Sequence, residues 1–265
     1  MSRRLAAGVR ATLFGLAVTA TTAGAVDLPE EMVPNVLPYR DGLPTHPVAS
    51  PGATISADNL GEVKDVMVPM LFDMVERGWL PRIKVTETTP VPPHPAFLQA
   101  TAGNTRGSIT FDEDNVNAVG YVSGRPFPFE PDPDDPLAGL KLLWNYRYSM
   151  FEGDSEYIHQ NWRYRDMRDE EIERELRIDV YIFRHMNRVI NEPLPAFEDN
   201  PSRIYNSFYL LVKEPFDVAN TQLLVHTYAD DNQRTDAWLY LGFQRRVRRL
   251  ATGQVTDAFL GSDLM

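Results

Sequence analysis

The second half of the chain constrains the fold most strongly, because it consists of aromatic and β-branched segments separated by short polar stretches. Such residues fit the pleated surface of a sheet, and strands joined by short turns pair in antiparallel order. The pattern predicts six strands, at residues 157–165, 176–188, 204–213, 221–228, 237–243 and 245–250. Residues 230–233 are the predicted turn of one hairpin, and the charged segment 168–177 fits either a strand start or a solvated helical turn.

An amphipathic helix is predicted early in the chain, between a capping Ser56 and Gly78. Its apolar residues recur at three- and four-residue spacings; they are Leu60, Val63, Met67, Met70, Leu71 and Met74. Pro69 either kinks this helix or begins a second segment, because its ring removes a helical hydrogen bond.

A second helix is predicted near the middle of the chain. Asp134 or Asp135 caps it, Pro136 occupies its first turn, and it ends near Gly153. Its apolar face contains Leu137, Leu140, Leu143 and Trp144. Short apolar runs between the two helices, at residues 83–85, 97–100, 108–111 and 118–122, indicate a meander of small strands. The fold class is therefore α+β, with one large antiparallel sheet and two main helices.

The N-terminus has the layout of a secretory signal peptide. Basic residues precede an apolar run at residues 11–20, and Ala23-Gly24-Ala25 forms a small-residue cleavage site. A transmembrane helix needs about 20 apolar residues, and threonines interrupt this run earlier. We expect export and cleavage after Ala25, and no membrane-spanning segment in the mature chain.

The mature chain is expected to be acidic and free of disulfides. Cleavage removes three arginines, so the net charge changes from −11 to −14. This charge disfavours nucleic acid as a partner. The absence of cysteine excludes disulfides, thiolate metal sites and cysteine nucleophiles. Residues 26–52 contain six prolines and are predicted to form an extended surface arm before a single domain at residues 53–265.

Catalytic and cofactor motifs are absent from the sequence. It lacks the serine-nucleophile, dinucleotide, phosphate-loop and zinc-protease patterns, and its five histidines are scattered, so no catalytic residue, cofactor or metal is predicted. The acidic run at residues 132–135 fails the calcium-loop pattern and is better explained as a helix cap. Hydrolysis of glycosidic bonds by a pair of carboxylates stays open as an alternative, because spacing in sequence does not give the distance between two carboxylates in space.

The aromatic residues of the strands carry the candidate ligand site. Either they form an ordinary core, or a strongly curved sheet exposes more apolar surface than two helices cover and so leaves a cavity for a hydrophobic molecule. The methionines of the first helix would form an adaptable lining. The predicted ligand-binding residues are Met67, Met70, Met74, Trp144, Tyr181, Phe208, Tyr228, Trp238 and Tyr240.

Four arginines close the last predicted strand, at positions 245, 246, 248 and 249. In a strand, Arg245 and Arg249 point to one face while Arg246 and Arg248 point to the other. They fit protection of a sheet edge and pairing with acidic neighbours. The alternative is an anion site for phosphate or carboxylate, which the guanidinium fork suits.

Two sequence blocks resemble the proteobacterial DUF1329 family, often described as outer membrane lipoprotein-sorting proteins. They are Gly-Arg-Pro-Phe-Pro-Phe at residues 124–129 with the following segment to residue 147, and residues 238–250 with Phe-Leu-Gly-Ser-Asp at 259–263. Residues 52–60 and 95–104 fit the same pattern. The resemblance implies a periplasmic protein with a curved antiparallel half-barrel, like the lipoprotein-localisation carriers, whose helices close the concave side. Family members continue past the Gly-Ser-Asp block, so we expect an incomplete sheet with a poorly packed end around Phe259 and Leu260.

Three functions follow as hypotheses. The first is a carrier or chaperone for a lipid, a lipoprotein acyl chain or another hydrophobic molecule, in outer-membrane or exporter-linked transport. The second is an interaction protein that docks an envelope exporter or outer-membrane β-barrel without carrying cargo. The third is an exported hydrolase that uses paired carboxylates, although we expect no enzymatic activity.

Overall fold

A computed structural model describes residues 26–89, 91–149, 153–165 and 171–251. The predicted signal peptide and the chain end around Phe259 and Leu260 lie outside the described residues. Small elements fill the first half: α1 (Val33–Val36), β1 (Thr54–Ile55), α2 (Pro69–Glu76), β2 (Ile83–Lys84), α3 (Pro95–Ala102), β3 (Thr110–Phe111), β4 (Ala118–Val119) and α4 (Ala138–Arg147). β1 pairs with β2 and β3 pairs with β4, both antiparallel.

The second half forms one six-stranded antiparallel sheet. Its strands are β5 (Ser155–Arg165), β6 (Ile172–Arg184), β7 (Ile204–Glu214), β8 (Gln222–Tyr228), β9 (Asp236–Leu241) and β10 (Arg246–Leu250). They lie in chain order, each beside the next. The predicted large antiparallel sheet and the α+β class are confirmed, and the described part of segment 168–177 belongs to β6 from Ile172 onward.

The predicted helix between Ser56 and Gly78 is wrong in its first part. A 3₁₀ turn occupies Leu60–Val63, and the α-helix begins only at Pro69. Ser56 donates its backbone N–H to Asn59 Oδ1 (2.8 Å), which closes a local turn instead of opening a helix. Proline suits the first helical position because its missing donor has no helical partner there.

The predicted strand at residues 97–100 is also wrong, because these residues lie in α3. His94 caps this helix: its Nδ1 accepts the backbone N–H of Ala96 (3.2 Å), and Pro95 follows at the first position. The proline that suggested an interruption between strands instead begins the helix.

The predicted extended surface arm is wrong for residues 28–36. A 3₁₀ turn at Glu30–Met32 continues into α1, and four apolar side chains are buried there. They are Leu28, Met32, Val33 and Val36, and they pack with Leu98 and Ala102 of α3 and with Phe129. The prolines of this segment do not prevent a helix, because Pro34 falls in the first turn of α1, where proline is tolerated. The apolar residues recur at helical spacing and are buried on one side.

A segment with alternating prolines joins these pieces; we call residues 125–131 the strap. Proline has no backbone donor, so the strap cannot complete a β-ladder, and asparagine side chains bind its backbone instead. Asn35 donates to the carbonyls of Phe127 (3.1 Å) and Phe129 (2.7 Å). Asn145 accepts the N–H of Phe127 (2.9 Å) and donates to its carbonyl (2.7 Å), and Asn104 donates to the carbonyl of Arg125 (2.8 Å).

Helix α4 connects the strap to the large sheet. The predicted aspartate cap is wrong, because the helix begins at Ala138 with Leu137 as its N-cap and without a side-chain cap. Asp135 Oδ1 instead accepts the N–H of Leu137 (2.8 Å) in the turn before the helix, which ends at Arg147, earlier than predicted. The buried rings of Trp144 and Tyr148 stack at 5.3 Å, and Tyr148 meets Tyr205 of β7 edge to face at 5.4 Å. Among the described residues no helix is both long and apolar enough to cross a membrane.

We predict that Gly124→Ala destabilises the fold by about 2 kcal/mol. Gly124 directly precedes the strap and has a φ of +80°, and an added Cβ would lie 2.5 Å from the backbone nitrogen of Thr101. Urea unfolding measures the change. Gly139→Ala is the matched control, since its Cβ meets no atom within 4 Å and alanine favours the helix. Equal stability of the two variants would contradict this account of the strap.

Candidate functional site

The two faces of the large sheet differ sharply in chemistry. On β6, Leu176, Ile178, Val180 and Ile182 alternate with residues of the other face, and all four are buried. With Leu210, Val212 and Leu223 of the neighbouring strands they form one hydrophobic cluster. We call this side the aliphatic face.

A cleft of about 280 Å³ opens on the aliphatic face. It is lined by Ile158, Gln160, Trp162, Val180, Ile182, Phe208, Leu210 and Leu223. Its two polar groups are close neighbours, and Trp162 Nε1 donates to Gln160 Oε1 (2.9 Å). The cleft therefore presents a surface that suits an apolar ligand better than a polar one.

Sheet residues supply almost all of the described packing around this cluster. The half-buried apolar residues that contact it are Ile158, Trp162, Tyr164, Phe208, Val218 and Val225. All but Val218 lie in strands, so no helix of the described residues contributes to the cluster.

Three register shifts, beside Tyr164, Arg177 and Ile204, interrupt the ladders. Such bulges strengthen the local twist and bend a strand.

The opposite face carries a row of tyrosines, and we call it the tyrosine face. Tyr157, Tyr181 and Tyr209 lie opposite one another on β5, β6 and β7. Their ring centroids are separated by 4.8 Å and 5.8 Å. Tyr157 and Tyr181 remain 57% and 42% exposed, so this row does not form a closed core.

A buried carboxylate lies beside the tyrosine row. Asp179 accepts from the Tyr157 hydroxyl (3.1 Å) and bonds His159 Nδ1 (2.7 Å), while Lys213 Nζ lies 3.9 Å away. The bond to His159 is the main cause that lowers the pKa of Asp179. This carboxylate is therefore ionised at neutral pH, and the hydrogen bonds from Tyr157 and His159 stabilise its negative charge.

A histidine and a serine also meet on this face, which the sequence did not indicate. His185 Nε2 lies 2.8 Å from Ser207 Oγ, and Phe183 and Phe197 pack against the imidazole. Burial lowers the pKa of His185, so its ring is neutral at pH 7. The neutral ring acts as a structural hydrogen-bond partner between strand and loop.

The predicted ligand-binding residues do not converge. Phe208 lines the cleft. Tyr181, Trp238 and Tyr240 lie on the tyrosine face, as their strand registers show. The Tyr228 hydroxyl donates to Asp236 Oδ2 (2.8 Å) at the sheet end.

The remaining members of that set lie in the first half of the chain. Trp144 lies in α4 and belongs to the buried aromatic cluster that it forms with Tyr148 and Tyr205. Met67 packs beside α2, Met70 is 69% exposed, and Met74 is half-buried. None of the three methionines lines the cleft.

Sequence reasoning missed most of the cleft because it followed aromatic residues. The aliphatic residues at alternate positions of β6 mark the face that holds the cleft, and Trp162 of β5 shares it. The period-2 pattern of β6 was therefore the signal that could have located the site. Aromatic content alone does not separate the faces, because Phe208 lies on the aliphatic face and Tyr181 on the other.

The four arginines do not form one cluster either. Arg245 lies in the turn before β10 with φ +52°, and Arg246 and Arg248 share the side of the aliphatic face. Arg249 lies on the other side and forms an ion pair with Asp236. Arg248 donates to Gln244 Oε1 (2.9 Å).

The described residues give little support to paired-carboxylate chemistry. The aspartates with a clear departure in pKa are all lowered, each chiefly by hydrogen bonding. A general acid requires the opposite shift. The described residues also contain no group of three or more metal-binding side chains.

Comparison with known proteins identifies a family. The model of the family described as protein of unknown function (DUF1329) matches residues 54–265. A search of curated proteins found no match. A crystal structure of a DUF1329 family protein from Desulfovibrio piger is similar with 19% identity and a TM-score of 0.31, over 43% of this chain and 41% of that chain. The chain therefore spans less than half of that relative's length, and by its match over residues 54–265 it belongs to the DUF1329 family.

Proposed function

We propose that this protein is a periplasmic carrier or chaperone that binds a hydrophobic ligand in the cleft on the aliphatic face. The observation that carries the proposal is the cleft itself, which is lined mainly by apolar side chains and by no charged one. The Trp162 indole needs no water for its hydrogen bond there, since Nε1 donates to Gln160 Oε1 (2.9 Å).

The ligand class follows from the size of the cleft. Its volume of about 280 Å³ lies just below the range of about 300–1,000 Å³ that holds drug-sized molecules. An acyl chain or a similar apolar group fits such a space better than a complete lipid with its headgroup. The headgroup would remain at the rim, where half-buried residues such as Ile158 and Phe208 lie.

We further propose that the sheet is a half-barrel, with the aliphatic face on its concave side. The support is that side chains such as Leu176 and Ile178 are fully buried within a cluster of mainly sheet residues. Curvature brings side chains of one face together, and the three bulges supply bending.

Alkyl carboxylates of increasing length test the carrier proposal. Each buried methylene contributes about 0.8 kcal/mol, so affinity should rise roughly tenfold for every two carbons until the cleft is filled. Titration calorimetry with chains of different length measures this slope. Affinity independent of chain length, or no binding at all, would exclude the proposed ligand class.

A matched pair of variants locates the binding site. Ile158→Trp fills the cleft and should weaken alkyl binding at least tenfold. Tyr157→Trp introduces the same ring one residue earlier on the tyrosine face, and should leave binding unchanged. Equal losses in both variants would place the ligand elsewhere, and thermal unfolding checks that both proteins fold.

Export to the periplasm is proposed from the first 25 residues and is tested separately. Protein recovered from the periplasm should begin at Val26, because cleavage is expected after Ala25. Intact mass measurement reads the terminus directly. Recovery of the uncut chain from the cytoplasm alone would contradict the proposal.

A second candidate, docking to an envelope exporter or an outer-membrane barrel, is favoured by the outer side of α4. Leu143 and Tyr146 are 66% and 82% exposed there. A photo-crosslinking residue at position 143 should capture one envelope protein, whereas the same residue at the exposed polar position 113 should capture none. Equal labelling from both positions would reject a specific docking role.

A further inference from the structure

A second cavity, separate from the sheet, lies between the strap, β3 and α4; we call it the strap groove. Its volume is about 360 Å³. The rings of Phe111, Phe127 and Phe129 and the side chains of Ile109, Leu137 and Leu142 contribute to its lining, together with prolines of the strap. This volume lies within the range of sites for small molecules.

The groove is preformed because the asparagines fix the strap. Asn145 holds both the N–H and the carbonyl of Phe127, and Asn35 holds the carbonyls of Phe127 and Phe129. Phe111 stacks on Phe127 with ring centroids 5.3 Å apart. A ligand would therefore meet an aromatic floor that loses little further freedom on binding.

The floor already interacts with cations. The Arg106 guanidinium lies 4.0 Å from the centroid of the Phe129 ring, and Lys141 Nζ lies 5.7 Å from that of Phe127. The ring quadrupole attracts a positive charge in this position. The groove therefore combines apolar surface with ring faces that accept cations.

The charges at the rim favour an additional cation. Arg106 is paired with Glu31 (3.3 Å), and Lys141 is paired with Asp135. Glu130 and Asp132 also line the groove, and neither forms an ion pair among the residues that the structure describes. Two carboxylates without an ion pair thus lie beside the aromatic floor, in a chain of net charge −11. Asp132 Oδ1 accepts the backbone N–H of Asp134 (3.0 Å), which leaves its negative charge in place.

We propose that the strap groove binds an amphipathic cation: a ligand whose apolar or aromatic body lies on the phenylalanine floor and whose positive charge faces Glu130 and Asp132. The site is distinct from the aliphatic-face cleft, which lacks charged lining residues, and does not depend on the proposed carrier function.

Tetraphenylphosphonium and tetraphenylborate test the proposal, since they share one shape and carry opposite charges. Calorimetry should detect binding of the phosphonium ion and at least tenfold weaker binding of the borate. Glu130→Gln with Asp132→Asn should weaken phosphonium binding on the order of fivefold. Glu113→Gln with Asp114→Asn removes the same charge at exposed positions elsewhere and should change it less than twofold.

A second pair of variants separates the groove from the rest of the surface. Leu142→Trp fills the groove and should abolish phosphonium binding while alkyl carboxylate binding to the sheet persists. Leu143→Trp, one residue further and outside the lining, should leave both unchanged. The proposal is overturned if phosphonium does not bind, if borate binds as well, or if the two tryptophan variants behave alike.

Discussion

The register of β6 against its two neighbours is the constraint on which the sheet depends. β6 pairs with β5 on one side and β7 on the other, and its side chains alternate between the faces. A shift of one residue would move Ile178 and Val180 to the tyrosine face and Asp179 and Tyr181 to the aliphatic face. Burying a carboxylate away from His159 and Lys213 is costly, so the polar bonds of one face and the apolar cluster of the other specify the same register.

The first half of the chain is stabilised by a different principle. It has little regular structure, and its short helices and two-residue strands cannot bury enough surface alone. Side-chain amides compensate by binding the donor-poor strap, and the aromatic stack of Trp144, Tyr148 and Tyr205 attaches this region to β7. Arg147 strengthens the attachment, because it pairs with Asp231 and lies over the same rings.

Sequence patterns predicted the long strands well and the first half poorly, for one physical reason. A strand such as β6 repeats its alternation over many residues, so period and burial agree. Pro95 and Pro34 were interpreted as interruptions, yet both lie at helix starts, where proline is favoured. For Pro69 the second of the two predicted alternatives is correct, because a new helix begins there. The cleft was missed because tyrosine and tryptophan carry polar tips that tolerate exposure, whereas the aliphatic residues of β6 do not.

The two proposed ligand sites would select ligands by different forces. The aliphatic-face cleft has no charged lining residue, so binding of an apolar group there would follow the apolar area of the ligand and depend little on ionic strength. The strap groove keeps two carboxylates at its rim, so part of its binding energy is electrostatic and is screened by salt. Because ionic strength weakens one interaction and not the other, a ligand with both an alkyl chain and a positive charge would distribute between the two sites according to salt concentration. If both proposals hold, the chain has two binding sites of which only the strap groove loses affinity as the salt concentration rises.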